Sequence, residues 1–140
     1  MKHVKHVVPV AIPIFALLWT VGLVCYAAQG SPQNVNCNAE IEWDIVPEAR
    51  LIQFDCTLGT HGGQPALIFT VGVENPTQKP LRYRINIFLD DLDKAAGHLV
   101  PRKGKPPVVE PGKSATVKIP FIKLDKESKK IFVLVNTLSL

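Results

Sequence analysis

The chain has 140 residues, 46% hydrophobic and 20% charged, with a mean hydropathy of +0.15. This is enough apolar material for one core, too little chain for two, and too hydrophobic for a wholly disordered protein. The formal net charge of +4 is uneven: residues 29–93 carry four basic and nine acidic side chains, and residues 94–140 carry ten and three.

Lys2, His3, Lys5 and His6 precede a run of 22 uncharged residues, 7–28, followed by small residues at Ala27, Ala28 and Gly30. A basic start, an apolar run and a small-residue end form the pattern of a secretory signal peptide, here residues 1–30. The rival is an uncleaved membrane anchor, because the run exceeds the usual ~7–15 apolar residues and reaches the ~20 that span a bilayer. Pro9 and Pro13 shorten any helix, so cleavage is expected, leaving a mature chain that begins between Ala28 and Ser31. Either way residues 31–140 form the exported domain, and the membrane is touched only through residues 7–28 if they are kept. Cys25, preceded by Val24 where a lipidation site takes a small residue, reads as an incidental apolar cysteine.

Export leaves Cys37 and Cys56, and two cysteines in an oxidising compartment form a disulfide by default. Cys37, Ala39, Ile41, Trp43 and Ile45 alternate with polar residues, as do Ile52, Phe54 and Cys56. Folding the two runs into a hairpin around Val46-Pro47 places Cys37 opposite Cys56, Ala39 opposite Phe54 and Ile41 opposite Ile52 on one face. A bridge between two sheets is the alternative. On that face Trp43 is expected to be largely buried.

Alternation continues at Leu67, Phe69, Val71 and Val73, then at Leu81, Tyr83, Ile85, Ile87 and Leu89, with the turn-rich Asn75-Pro76-Thr77-Gln78-Lys79-Pro80 between them. Residues 90–112 are polar and rich in Gly and Pro, with short strands at most near Leu99-Val100 and Val108-Val109. Pro111-Gly112 predicts a tight turn before Ala115, Val117, Ile119 and Phe121, and residues 131–138 form a final apolar strand. Residues 125–130 could make one helical turn. The reading is all-β: an antiparallel sandwich of about seven strands. Leu51, Ile68 and Phe88 fall on outward faces and would mark a covered face or a partner site if they cluster.

Three stretches are familiar: Val71-Gly72-Val73-Glu74-Asn75-Pro76-Thr77, Asp90-Asp91-Leu92-Asp93-Lys94-Ala95-Ala96-Gly97 and Val109-Glu110-Pro111-Gly112-Lys113-Ser114. Together they resemble the extracytoplasmic immunoglobulin-like domains of bacteria, in particular the FxLYD and LEA14-like groups, over residues 66–122. The segment Ile87-Phe88-Leu89-Asp90-Asp91 is similar to, but not the same as, the signature of the first group. The resemblance implies an immunoglobulin-like sandwich serving as a binding or assembly module. Its motifs are turns: Asn75 and Gly112 shape backbone rather than perform chemistry.

Residues for catalysis and metal binding are sparse. His61 lies in a Gly-rich loop, His98 lies beside Gly97, and neither joins a ligand set for zinc or copper. Asp90, Asp91 and Asp93 lack the spacing of a calcium loop and read as turn caps. Ser114, Ser128 and Ser139 have no base in sequence context, and Glu40 and Glu42 read as a solvated strand face rather than a catalytic carboxylate pair. The basic runs Arg102-Lys103-Gly104-Lys105 and residues 126–130 lack interleaved aromatics for stacking bases, so no nucleic acid is expected. The expected protein is therefore an exported, non-enzymatic module of the bacterial envelope, without cofactor or metal, binding envelope protein partners. A periplasmic carrier of a small ligand or metal ion is the alternative.

Overall fold

The alternating runs form strands whose apolar sides are pressed together in two layers. A computed structural model describes residues 32–139, so the expected leader or anchor at 1–30 lies outside the described residues. The strands are β1 (Val35–Asn36), β2 (Glu40–Ile45), β3 (Arg50–His61), β4 (Gln64–Glu74), β5 (Arg82–Leu89), β6 (Lys94–Val100), β7 (Ser114–Ile122) and β8 (Lys130–Leu138), with a 3₁₀ turn at Asp90–Leu92. One sheet has the order β1-β3-β4-β7 and the other β2-β8-β5-β6.

The core takes every second residue: Leu67, Phe69, Val71 and Val73 from β4, Tyr83, Ile85, Ile87 and Leu89 from β5, and Ile131, Val133 and Val135 from β8. Each large side chain contributes roughly 1.5–3 kcal/mol by leaving water. Aromatic rings run through this core as a chain. Trp43 meets Phe54 edge-on at 5.0 Å, Phe54 meets Phe69 at 5.5 Å, and Phe69 meets Phe121 at 5.4 Å.

The all-β sandwich is therefore observed, with differences from the sequence reading. The described residues hold eight strands, and the sheets are mixed rather than antiparallel, because β1 runs parallel to β3 and β2 parallel to β8. Both parallel pairs arise because residues 35–45 lend a strand first to one sheet and then to the other. The expected hairpin of residues 37–45 on 52–56 is overturned. The chain does reverse at residues 46–49, but as an arch between sheets. Trp43 consequently faces Phe54 across the core instead of lying beside β3. Because β2 is an edge strand, Ile41, Trp43 and Ile45 point inward yet are only partly buried.

Three further corrections concern local geometry. A β-bulge between Leu51 and Gln53 shifts the inward face by one residue, so Leu51 is 2% exposed and Ile52 faces outward. Leu51, Ile68 and Phe88 accordingly do not cluster: they lie in the core and on the outer faces of different sheets. Residues 94–100, where at most a short strand near Leu99-Val100 was expected, are a full strand paired with β5. Residues 125–130 form no helical turn; buried Leu124 and Ser128 anchor that loop instead.

Hydrogen bonds close the end of the sandwich that carries the arch. Asn75 is fully buried, and its amide nitrogen donates to the carbonyl oxygens of Lys79 (2.6 Å) and Val109 (2.8 Å). Its Oδ1 accepts from the Thr77 amide at 2.9 Å and hydroxyl at 2.7 Å. Its backbone pairs with Lys113 and Gly112 across a turn in which Gly112 has a φ of 71°, a conformation that favours glycine after Pro111. The buried Tyr83 hydroxyl donates to the Glu48 carbonyl at 2.8 Å and holds the arch. Burial, reinforced by the Glu48 charge, pushes the Tyr83 pKa up to about 12.

Candidate functional site

Cys37 and Cys56 are joined, with Cα atoms 5.2 Å apart. Their neighbourhood is not the expected hairpin. Val35 and Asn36 pair with Phe54 and Asp55, so Cys37 continues the parallel β1–β3 register by one step before the chain leaves for the other sheet. The bridge marks where β3 loses its neighbour.

The remaining residues singled out from sequence are scattered. His61 is exposed at the end of β3. His98 is on β6 in the other sheet, with its Nδ1 2.9 Å from the Gly97 carbonyl and its Nε2 buried without a partner. Asp91 accepts hydrogen bonds from the Ser128 hydroxyl at 2.5 Å and the Lys129 amide at 2.9 Å. These donors hold its carboxyl below the usual range and fasten the 3₁₀ turn to the start of β8. Ser128 thus donates to a carboxylate that is itself a structural clamp. Ser114 starts β7 opposite Glu74, and Ser139 follows β8. Glu40 and Glu42 lie exposed on β2, in register with Lys130 and Phe132. Among the described residues, no three His, Cys, Asp or Glu side chains are placed to hold a metal ion.

The basic half of the sequence places residues at both ends of β7. Arg102, Lys103, Lys105 and Lys113 precede β7, whereas Lys123, Lys126, Lys129 and Lys130 follow it. Nine strand residues separate Lys113 from Lys123, a span of roughly 25–30 Å.

The β3–β4 hairpin, at whose end His61 lies, has a significance that was missed in sequence. It extends past the disulfide to a two-residue turn, Gly62-Gly63, whose φ values of 57° and 76° suit glycine. Residues 57–65 are all exposed. From Cys56 to Val73 no residue is charged. The tight turn makes His61 and Gln64 a hydrogen-bonded pair, and ladder bonds then alternate, so Phe54, Cys56, Leu58 and Thr60 turn their N–H and C=O groups away from β4. The Phe54 N–H accordingly reaches the Asn34 carbonyl at 2.9 Å, on the β1 side. Among the described residues, no strand meets Leu58 or Thr60.

The edges β2 and β7 are protected. β2 alternates Glu40, Glu42 and Asp44 with its inward residues; β7 carries Lys118 and Pro120 and adjoins β6. Charges and prolines of this kind stop strands from adding to an edge. The segment of β3 from residue 57 to residue 61 has neither, and Leu58 there is 49% exposed. The signal available in sequence was an 18-residue uncharged stretch containing a Gly-Gly turn.

A cleft of about 420 Å³ adjoins the end of the hairpin, lined in part by Thr60, His61, Arg102, Thr116 and Lys118. None of its lining residues is acidic. The chain matches no protein-family model, no curated protein and no solved structure.

Proposed function

We propose that this chain is an exported, non-enzymatic binding and assembly module of the bacterial cell envelope, built on an immunoglobulin-like sandwich. The observation that carries the reading is the open β3 edge: four backbone groups on Leu58 and Thr60 are presented on an exposed, uncharged hairpin. An extended polypeptide adding to that edge gains main-chain hydrogen bonds, the mode known as β-augmentation. The disulfide fits an oxidising compartment and stiffens the base of the hairpin.

The test is site-specific photo-crosslinking in intact bacteria making the full chain. A photoreactive residue at position 60 should give protein adducts in the envelope fraction, while one at position 126 should not. Absence of adducts from position 60, or recovery of the chain in the cytoplasm, would refute the reading. A second reading, a periplasmic carrier, draws on the cleft lined by Arg102 and Lys118, whose charges suit a small anionic ligand. Micromolar binding of a dicarboxylate or phosphate, lost in Arg102→Ala, would favour it.

A further inference from the structure

We propose that the open edge of β3 is a self-association site, at which two copies of this chain pair antiparallel about a twofold axis at Gly59. The inference rests on the binding-module reading above and names its partner.

The register follows from the free backbone groups. Leu58 and Thr60 each present an N–H and a C=O, and an antiparallel neighbour satisfies both by placing opposite them a residue whose groups also point outward. Setting Leu58 opposite Thr60 of the second copy, and Thr60 opposite its Leu58, uses all four groups of each chain in four hydrogen bonds. An axis at Leu58 or at Thr60 would instead set the other residue against Cys56 or Gly62, beyond the open segment. Only the axis at Gly59 uses the edge completely.

Gly59 is otherwise unexplained. It has no positive φ, and an added Cβ would meet only Ile68 Cδ1, at an ordinary 3.5 Å. Nothing within one copy requires glycine there. At the axis Gly59 faces its own copy in a non-hydrogen-bonded position, where Cα atoms approach to about 4.5 Å and missing side chains ease the contact. The two Leu58 side chains, each 49% exposed, become diagonal neighbours across the axis, within reach at ~7–8 Å. The lack of charge from Cys56 to Val73 means that twofold pairing sets no like charges opposite each other. Such symmetric pairing is the commonest form of self-association. A five-residue edge covers less than the ~1,200 Å² of a standard stable interface, so the dimer is weak and concentration-dependent.

Sedimentation equilibrium of the full chain, in mild detergent if it fractionates with membranes, tests this. The wild type should dimerise with rising concentration. Gly59→Lys opposes two ammonium groups at the axis and should raise the dissociation constant at least about tenfold. Thr60→Pro, which removes an N–H that β4 does not use, should weaken dimerisation likewise and guards against a folding artefact in the first variant. Gly59→Cys should give a reducible covalent dimer, since the ~4.5 Å Cα separation lies in the disulfide range, whereas Thr57→Cys should not. A wild type that stays monomeric, or a dimer indifferent to Gly59→Lys and Thr60→Pro, would overturn the proposal. If a monomeric wild type still crosslinks through position 60 to a different envelope protein, self-pairing fails and the binding-module reading stands. If position 60 gives no adduct at all, both fail.

Discussion

At the arch end of the sandwich, Asn75 engages four side-chain hydrogen bonds and Tyr83 ties the arch through Glu48, so the polar groups there are matched within the chain. At the hairpin end, Leu58 and Thr60 present backbone groups to solvent on a stretch without charge. Both ends consist of turns and exposed strand termini, and both contain glycines at positive φ. They differ in where the hydrogen bonds go. A buried polar group must be matched internally or it costs stability; an exposed one can be left for another molecule at little cost. Mutations at the arch end should therefore act on folding, and those at the hairpin end on association.

Asn75→Ala should show the largest effect. It removes partners from the Lys79 and Val109 carbonyls and the Thr77 amide around a fully buried site, which costs about 3–4 kcal/mol. Asn75→Asp should be no better, because a carboxylate would face two carbonyl oxygens. Urea unfolding measures both. A loss below about 1 kcal/mol would mean that the arch end is not internally locked.

Removing the disulfide comes next. Cys37 and Cys56 are 19 residues apart, and closing such a loop contributes roughly 3 kcal/mol by restricting the unfolded chain. The double Ser variant should lose about 2–4 kcal/mol in denaturant melts. Thiol titration of the denatured, unreduced wild type should find neither cysteine free.

Tyr83 gives a pH-dependent effect. Its pKa in the fold is raised from 10.0 to about 12, so its contribution is complete below pH 10 and lost as pH rises towards 12. The sign is that of a proton held more tightly when folded, and the loss is about 2–3 kcal/mol. Tyr83→Phe should cost about 1 kcal/mol at neutral pH and flatten the alkaline decline. An equally steep alkaline limb in that variant would assign the decline to another group.

How much of this was legible in the sequence depends on what alternation encodes. Period-two patterning fixes which residues face inward, and it found the apolar faces of β4, β5 and β7, whereas β8 was legible only as a continuous apolar run of strand length. It does not say which sheet a strand joins. Ile41, Trp43 and Phe54 point inward in a hairpin and in an arch alike, so three apolar pairs in one register supported the wrong neighbour. The bulge at Leu51–Gln53 breaks the period by one residue without a Gly or Pro in β3 to mark it, although Gly72 on the facing strand leaves room for Ile52. β6 was hidden because Ala95, Ala96 and Gly97 carry little hydrophobic contrast, although Gly97 leaves room for the Asn86 side chain. The Cys37–Cys56 pairing was expected from two cysteines left in the part read as exported and from a hairpin register; the bridge is present although that register is not. The open edge was not legible, because identifying it required knowing that β1 ends at the level of Asp55, three residues before Leu58.

The smallest expected effect draws the comparison most sharply. Leu58 and Leu67 lie directly opposite each other in the β3–β4 ladder, yet Leu58 is 49% exposed and Leu67 fully buried. Leu67→Ala removes atoms from packed surroundings and should cost about 2–4 kcal/mol. Leu58→Ser alters a side chain that mostly touches water, and at dilute concentration should shift stability by less than about 0.5 kcal/mol. The same substitution removes the pair of leucines that meet across the proposed axis, so its effect should grow with protein concentration, as stability linked to association does. A dilute-solution loss at Leu58 as large as that at Leu67 would show that the hairpin end is packed within a single copy, and the contrast between the two ends would disappear.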